Sequence, residues 1–132
     1  MTEEFVRATR DERRARVVKV GDVPLVNLAP GIETAIVCGN NLTLSFATVA
    51  PGAAGAMHSH PNEQMIVVLE GTVDIVLEGK AYGLKAGEVM TVPSNLQHTG
   101  VGGEHGCRML EVFTPARKDF EEKLAKALAE LK

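Results

Sequence analysis

The sequence contains no tryptophan, one tyrosine and four phenylalanines. These are too few flat side chains to build a stacking platform for nucleobases or to grip the rings of a polymer. A basic excess is missing as well: 14 Lys and Arg stand against 17 Asp and Glu, a net charge of −3, which argues against a chain built to neutralise phosphates. No apolar run approaches a membrane span. No apolar stretch follows the basic residues Arg7, Arg10, Arg13, Arg14, Arg16 and Lys19, so no secretory signal is expected. Asp11 and Glu12 dilute that basic segment, and the arm reads as a solvated leader. Cysteine is scarce: Cys38 and Cys107 lie far apart and form no CxxC pair. That pattern excludes a zinc ribbon or a redox motif and suits reduced thiols in a cytoplasmic protein.

What remains is a chain of 132 residues, 45% hydrophobic and 23% charged, enough for one globular domain. Short apolar runs are separated by Gly, Pro and Asn, and each is a strand candidate: Val17–Val20, Ile32–Val37, Leu42–Ala47, Met65–Leu69, Val73–Leu77, Ala81–Leu84 and Val89–Val92. In Leu42–Ala47 apolar and small polar residues alternate, the pattern of a strand with one face on a core. Met65–Leu69 is continuous and predicts a strand covered on both faces. The spacing and the Gly turns, Glu70-Gly71 among them, predict an antiparallel meander that closes to hide its edges. After Thr114-Pro115 the period becomes helical, with Phe120, Leu124, Leu128 and Leu131 on one stripe, Thr114 as N-cap and Pro115 at the first helical position. Asp119, Glu121 and Glu122 lie early and Lys126 and Lys132 late, as the helix dipole favours. The expected architecture is all-β, a small antiparallel β-barrel or jelly roll with a C-terminal α-helix. Its boundaries are an arm over 1–15, the barrel over 16–114 and the helix over 115–132.

The chemistry concentrates in Gly52–Gln64. On an extended segment His58 and His60 share a face, because side chains alternate with period 2. Gln64 has the same parity and Glu63 the opposite one, although a bend at Pro61 would bring Glu63 inward in its place. His98, after Pro93-Ser94-Asn95, arrives on a neighbouring strand. Three imidazoles suit Zn, Fe, Ni, Cu or Mn. The fourth histidine, His105, sits in a Gly-rich loop and reads as solvated.

Gly52-x5-His58-x-His60-x3-Gln64-x6-Gly71 resembles the first motif of the cupin superfamily, and Gly87-x5-Pro93-x-Asn95-x2-His98 resembles the second. The resemblance covers about residues 30 to 113. It implies a single β-barrel with His58, His60, Gln64 and His98 in the metal-ligand positions for a divalent transition metal (Zn, Ni, Mn or Fe). Gln64 stands where a carboxylate is usual, and Gly102 where Asn is frequent. A neutral amide leaves the ion's charge less offset, which favours polarising a substrate oxygen over activating dioxygen.

The segments His58–Gln64 and Glu111–Arg117 are further similar to KdgF-type uronate lyases, small cupins that open unsaturated monouronates. That subgroup carries Asp where this chain has Glu111, and one more residue before the Gln. The resemblance implies Glu111 as catalytic acid and Arg117 as carboxylate anchor; the plainer reading is a surface ion pair between them, contributing less than about 1 kcal/mol. The expected function is a metal-dependent lyase or isomerase for a small carboxylated, sugar-derived substrate. Alternatives are a non-haem iron or copper dioxygenase and a non-catalytic binding module. A homodimer is expected, since open edges and the apolar face of the last helix need cover, with neither nucleic acid nor membrane as partner.

Overall fold

The computed structural model describes residues 5–131; Lys132 and the first four residues of the arm lie outside the described residues. The chain runs α1 (Arg10–Arg14), a 3-10 turn (Val20–Asp22), β1 (Val26–Ala29), β2 (Ile32–Cys38), β3 (Thr43–Val49), β4 (Glu63–Leu77), β5 (Lys80–Lys85), β6 (Val89–Val92), β7 (His98–Thr114) and α2 (Lys118–Ala129). The described part of the arm is exposed and carries α1, held by a capping box between Thr9 and Glu12. All-β with a C-terminal helix is what the sequence predicts. No helix among the described residues is long and apolar enough to cross a membrane.

The strand order is not a meander. The sheet runs β1-β2-β3-β7-β4-β5, with β6 also on β4, so the last strand inserts between β3 and β4. Its spine is the long antiparallel pairing of β4 and β7, from Glu63↔Thr114 to Leu77↔His98. Glu70-Gly71 does not end a strand. β4 continues through it with register slips on either side, and Gly71, at φ 74°, is the residue that permits the bulge. A Cβ there would run into the Gly106 carbonyl. Gly102 has a related constraint: a Cβ would collide with the Ala50 carbonyl, which leaves no room for the Asn common in the second motif.

Val17–Val20 is not a strand. Val17 and Val18 stay about half exposed, and the edge of β2 is taken by β1, unexpected from the sequence. Pro30-Gly31, with Gly31 at φ 79°, folds β1 directly back on β2, so short-range closure wins the edge. Met65–Leu69 is covered on one face only: Ile66 and Val68 are 1% exposed while Met65 and Leu69 are 43% and 45% exposed.

β3 departs furthest from expectation. Its polar residues Thr43 and Ser45 point inward and are fully buried, while Leu42 is exposed and Leu44 and Phe46 are only partly covered. Register with β7 sets this, because Ser45 lies opposite Glu111 and Thr43 opposite Phe113, and a slip of one residue would reverse every side chain. The apolar core begins farther along the inner face, where Ala47 and Val49 meet Ile66, Val68, Val73 and Ile75. A second cluster, Ile36, Phe113 and Phe120, seats α2.

α2 starts at Lys118, three residues later than predicted, with Arg117 as an N-cap whose side chain does not bond the helix's first backbone amides. Thr114 still pairs with Glu63 at the end of β7, so residues 115–117 must turn the chain, through a cis Thr114-Pro115 bond. This turn is tied down: Asn62 Nδ2 donates to the Pro115 carbonyl (2.6 Å) and the Arg117 amide donates to Thr43 Oγ1 (2.8 Å). Only the first half of the helical stripe is covered, since Phe120 is buried but Leu128 is 46% exposed. Cys38 is exposed and Cys107 buried, and both are free thiols.

Candidate metal centre

The backbone brings the histidines together before any ligand is considered. His58 and His98 face each other across a β-bridge and exchange both backbone hydrogen bonds (3.0 and 2.8 Å). His60 is held from the other side, its carbonyl accepting the Asn95 amide (2.8 Å). One ring nitrogen from each of His58, His60 and His98 lies within 4.8 Å of the others. His98 and Gln64 are 3% exposed and His60 is 9% exposed, whereas His58 opens to solvent. Gln64 points inward from β4 and Glu63 outward, so parity survives Pro61. His105 is exposed on β7.

Each imidazole is oriented by a backbone carbonyl at Nδ1: Ala56 for His58 (2.9 Å), Asn62 for His60 (3.0 Å) and Leu96 for His98 (2.8 Å). A carbonyl only accepts, so Nδ1 carries the hydrogen and Nε2 of the neutral ring keeps its lone pair. Burial pushes the pKa of His60 and of His98 below the ordinary imidazole range, with the positive charge of Arg117 acting in the same direction. Gln64 Oε1 lies 3.1 Å from His60 Nε2 and 3.2 Å from His98 Nε2. Acceptors therefore face acceptors, and a cation among them turns repulsion into coordination. Three imidazole nitrogens and one amide oxygen, with backbone partners behind each ring, fit a divalent transition metal.

Glu111 lies beside this cluster. Its Oε2 accepts from Gln64 Nε2 (2.6 Å) and its Oε1 from Ser45 Oγ (3.1 Å). Burial raises its pKa above the usual carboxylate range, against the hydrogen bond from Ser45, the charge of Arg117 and the hydrogen bond from Gln64. Glu111 and Arg117 do not form the ion pair that their spacing allowed. Arg117 instead donates from Nε (3.0 and 3.3 Å) and Nη2 (3.1 Å) to Asp119. Its guanidinium lies 3.9 Å from the centre of the Phe120 ring and 4.9 Å from that of Phe113. Burial alone would raise the Asp119 carboxyl, but the hydrogen bonds and charge of Arg117, with backbone N–H groups, outweigh it and lower its pKa.

His58, Glu111, Arg117 and Asp119 line one cavity of about 290 Å³, whose other wall is apolar and includes Ile32, Met109 and Phe120. The structure thus gathers all six residues singled out in the sequence. Sequence reasoning missed Asp119, Thr43, Ser45 and Thr34. Asp119 had a signal, as an acid two residues beyond the arginine; the hydroxyls had none, because the alternation in β3 did not say which face was inside.

A family model described as a cupin domain matches residues 45–113, more than half of the chain. The chain belongs to the cupin family. This cupin is similar to the pectin degradation protein KdgF of Dickeya dadantii (strain 3937), at 31% identity over 101 residues, 75% of this chain and 92% of that protein. Among solved structures, KdgF from Halomonas sp. matches with a TM-score of 0.68 at 28% identity, covering 73% of this cupin and 89% of that chain. An RmlC-like cupin from Shewanella frigidimarina matches with a TM-score of 0.73 at 24% identity, covering 80% and 95%, a likeness of fold.

Proposed function

We propose that this cupin is a metal-dependent lyase or isomerase acting on a small carboxylated, sugar-derived substrate, of the kind represented by an unsaturated monouronate. The observation that carries the reading is the placing of Glu111, Arg117 and the open side of the histidine cluster on one cavity, together with the similarity to KdgF. His58, His60, Gln64 and His98 would hold the ion. A bound divalent ion supplies Lewis acidity toward a substrate carbonyl or hydroxyl oxygen.

The remaining work belongs to this chain's own residues. Asp119 occupies the Nε and Nη2 side of Arg117, so the Nη1–Nη2 edge, with a second N–H on Nη2, is left for a substrate carboxylate. The two phenylalanine rings keep the guanidinium flat in that position. Glu111, whose burial lets it keep a proton nearer neutrality than a free carboxyl group, exchanges that proton with the substrate. The apolar wall keeps water from competing. We infer further that the protein works as a homodimer, for which the outward apolar side chains of β3 and β4 offer a surface.

The test is turnover of an unsaturated monouronate, followed by loss of its double-bond absorbance, by protein loaded with Zn, Ni, Mn or Fe. Glu111→Gln and Arg117→Ala should each lower kcat/KM by about a hundredfold or more with metal content retained. Unchanged turnover in both variants would remove the assigned roles.

A further inference from the structure

Four buried or nearly buried polar side chains on four strands form one chain of hydrogen bonds that ends at the histidines. Thr34 on β2 and Ser45 on β3 are both 0% exposed, and their hydroxyl oxygens are 2.6 Å apart. Ser45 meets Oε1 of Glu111 on β7, Glu111 Oε2 meets Nε2 of Gln64 on β4, and Gln64 Oε1 meets His60 and His98. Such a chain inside the sheet is costly unless its members are satisfied, and Thr34, Ser45, Glu111 and the Gln64 NH2 group each have a hydrogen-bond partner in it.

We propose that Ser45 and Thr34 are positioning residues for the metal centre, acting through Glu111 to hold the Gln64 amide with its oxygen, and not its NH2 group, toward the three imidazoles. The inference rests on the metal-centre reading and names the device that makes the amide a ligand.

A carboxamide has nearly the same shape when its oxygen and nitrogen are exchanged, so only its partners select one orientation. The flipped amide has an attraction of its own. Its two N–H bonds would point at the Nε2 lone pairs of His60 and His98, which lie 3.1 and 3.2 Å from the present oxygen. The cluster would then satisfy itself by hydrogen bonds and lose its oxygen donor. Glu111 opposes this by presenting an acceptor, Oε2, to the outer end of the amide. Ser45 secures the other oxygen. The hydroxyl chain can run in either direction, since Thr34 can donate to Ser45 or to the Ala35 carbonyl (3.5 Å). Ser45 can therefore donate to Oε1 or accept from it, and Oε2 remains an acceptor for Gln64 in both cases. The ligand's orientation is thereby separated from the proton that Glu111 exchanges.

The experiment titrates metal-free protein with cobalt(II) alone, reading affinity by calorimetry and the coordination sphere by the visible d–d spectrum. Glu111→Leu removes the acceptor and should weaken cobalt binding by about tenfold to a hundredfold, with an altered spectrum. Glu111→Gln can still offer its carbonyl to Gln64 while its NH2 faces Ser45, and should bind cobalt nearly as wild type. The double variant Glu111→Leu/Gln64→Glu should recover affinity, because a carboxylate presents oxygen whichever way it turns. Ser45→Ala should weaken binding in the same direction as Glu111→Leu and Ser45→Thr should restore it, a readout that does not depend on how well the leucine variant folds. Wild-type affinity and spectrum in Glu111→Leu, or no recovery in the double variant, would overturn the proposal. Equal loss in Glu111→Gln and Glu111→Leu would do so too, by assigning the effect to charge. Failure of the wild-type protein to bind cobalt would instead remove the metal-centre reading and this inference with it.

Discussion

On β3, Thr43 and Ser45 point into the sheet and Leu44 and Phe46 point out of it, so the strand turns its more polar side toward the interior at the site end. On β4, immediately after Gln64, the order is the ordinary one, with Ile66 and Val68 inside and Met65 and Leu69 outside being apolar as well. The difference teaches that what goes inside is decided by partners as much as by hydropathy. A hydroxyl is tolerated in the interior when a carboxylate or backbone N–H is waiting for it. Ser45 has Glu111 and Thr43 has the Arg117 amide. Where no such partner exists, from Ala47 onward, the interior is aliphatic.

The largest expected effect lies at the polar end. His58→Ala and His98→Ala should each strip the protein of bound metal, measured by elemental analysis beside the wild type. Full metal content in both would show that the convergence of imidazoles holds no ion. His98→Ala should be the more damaging to folding, since His98 is buried where His58 is exposed.

Next comes a direct contrast of the two faces of one strand. Ser45→Val replaces the hydroxyl with a methyl group, adds a second methyl at a fully buried position and leaves Glu111 Oε1 without its donor, so unfolding by urea should show a loss of about 1–3 kcal/mol. If the valine variant is as stable as wild type, the inward hydroxyl is filler and the contrast between the faces has no energetic content.

The polar end should also make stability depend on pH in the metal-free protein. His60 and His98 have lowered pKa values in the folded state. Between those values and the ordinary imidazole pKa of about 6.5 the unfolded chain binds more protons, so stability rises with pH there. Their contribution is complete above the ordinary value and is lost as pH falls through the folded values. Glu111 has the opposite sign. Its folded pKa is raised, so its contribution is complete below the ordinary carboxylate value and is lost as pH rises through the folded one. As pH rises from the carboxylate range the two contributions therefore oppose each other in the thermal midpoint read by circular dichroism. Glu111→Gln should remove the falling contribution, so that its midpoint climbs with pH relative to wild type. A profile unchanged by that variant would contradict the assigned environment of Glu111.

The legibility of the molecule follows the same division. Residues whose role depends on period were readable: His58, His60 and Gln64 share a parity, and the structure brings all three side chains into one cluster with His98. The alternation in Leu42–Ala47 was equally visible, but a period of two names two faces and not which is buried. That choice came from β7, whose Glu111 lies 66 positions from Ser45 in sequence and whose insertion between β3 and β4 also broke the expected meander. The start of α2 was misplaced for a related reason. Thr114 and Pro115 have the chemistry of a helix start, but Thr114 was already committed to Glu63 across the sheet.

The smallest effect should come from the outer face. Met65 and Leu42 are 43% and 48% exposed, so Met65→Gln and Leu42→Gln remove little buried apolar surface from a single copy. Each should change the folding stability of the isolated chain by no more than about 0.5 kcal/mol, well below the cost of the inward Ser45→Val. If the proposed homodimer uses this face, a second signature follows. The wild-type thermal midpoint should rise with protein concentration, because association favours the folded form by mass action, and the two variants should lose that dependence while keeping the same cobalt affinity. A midpoint independent of concentration in the wild type would leave these side chains as ordinary exposed apolar surface, and the contrast between the faces would then be one of hydrogen-bond partners alone.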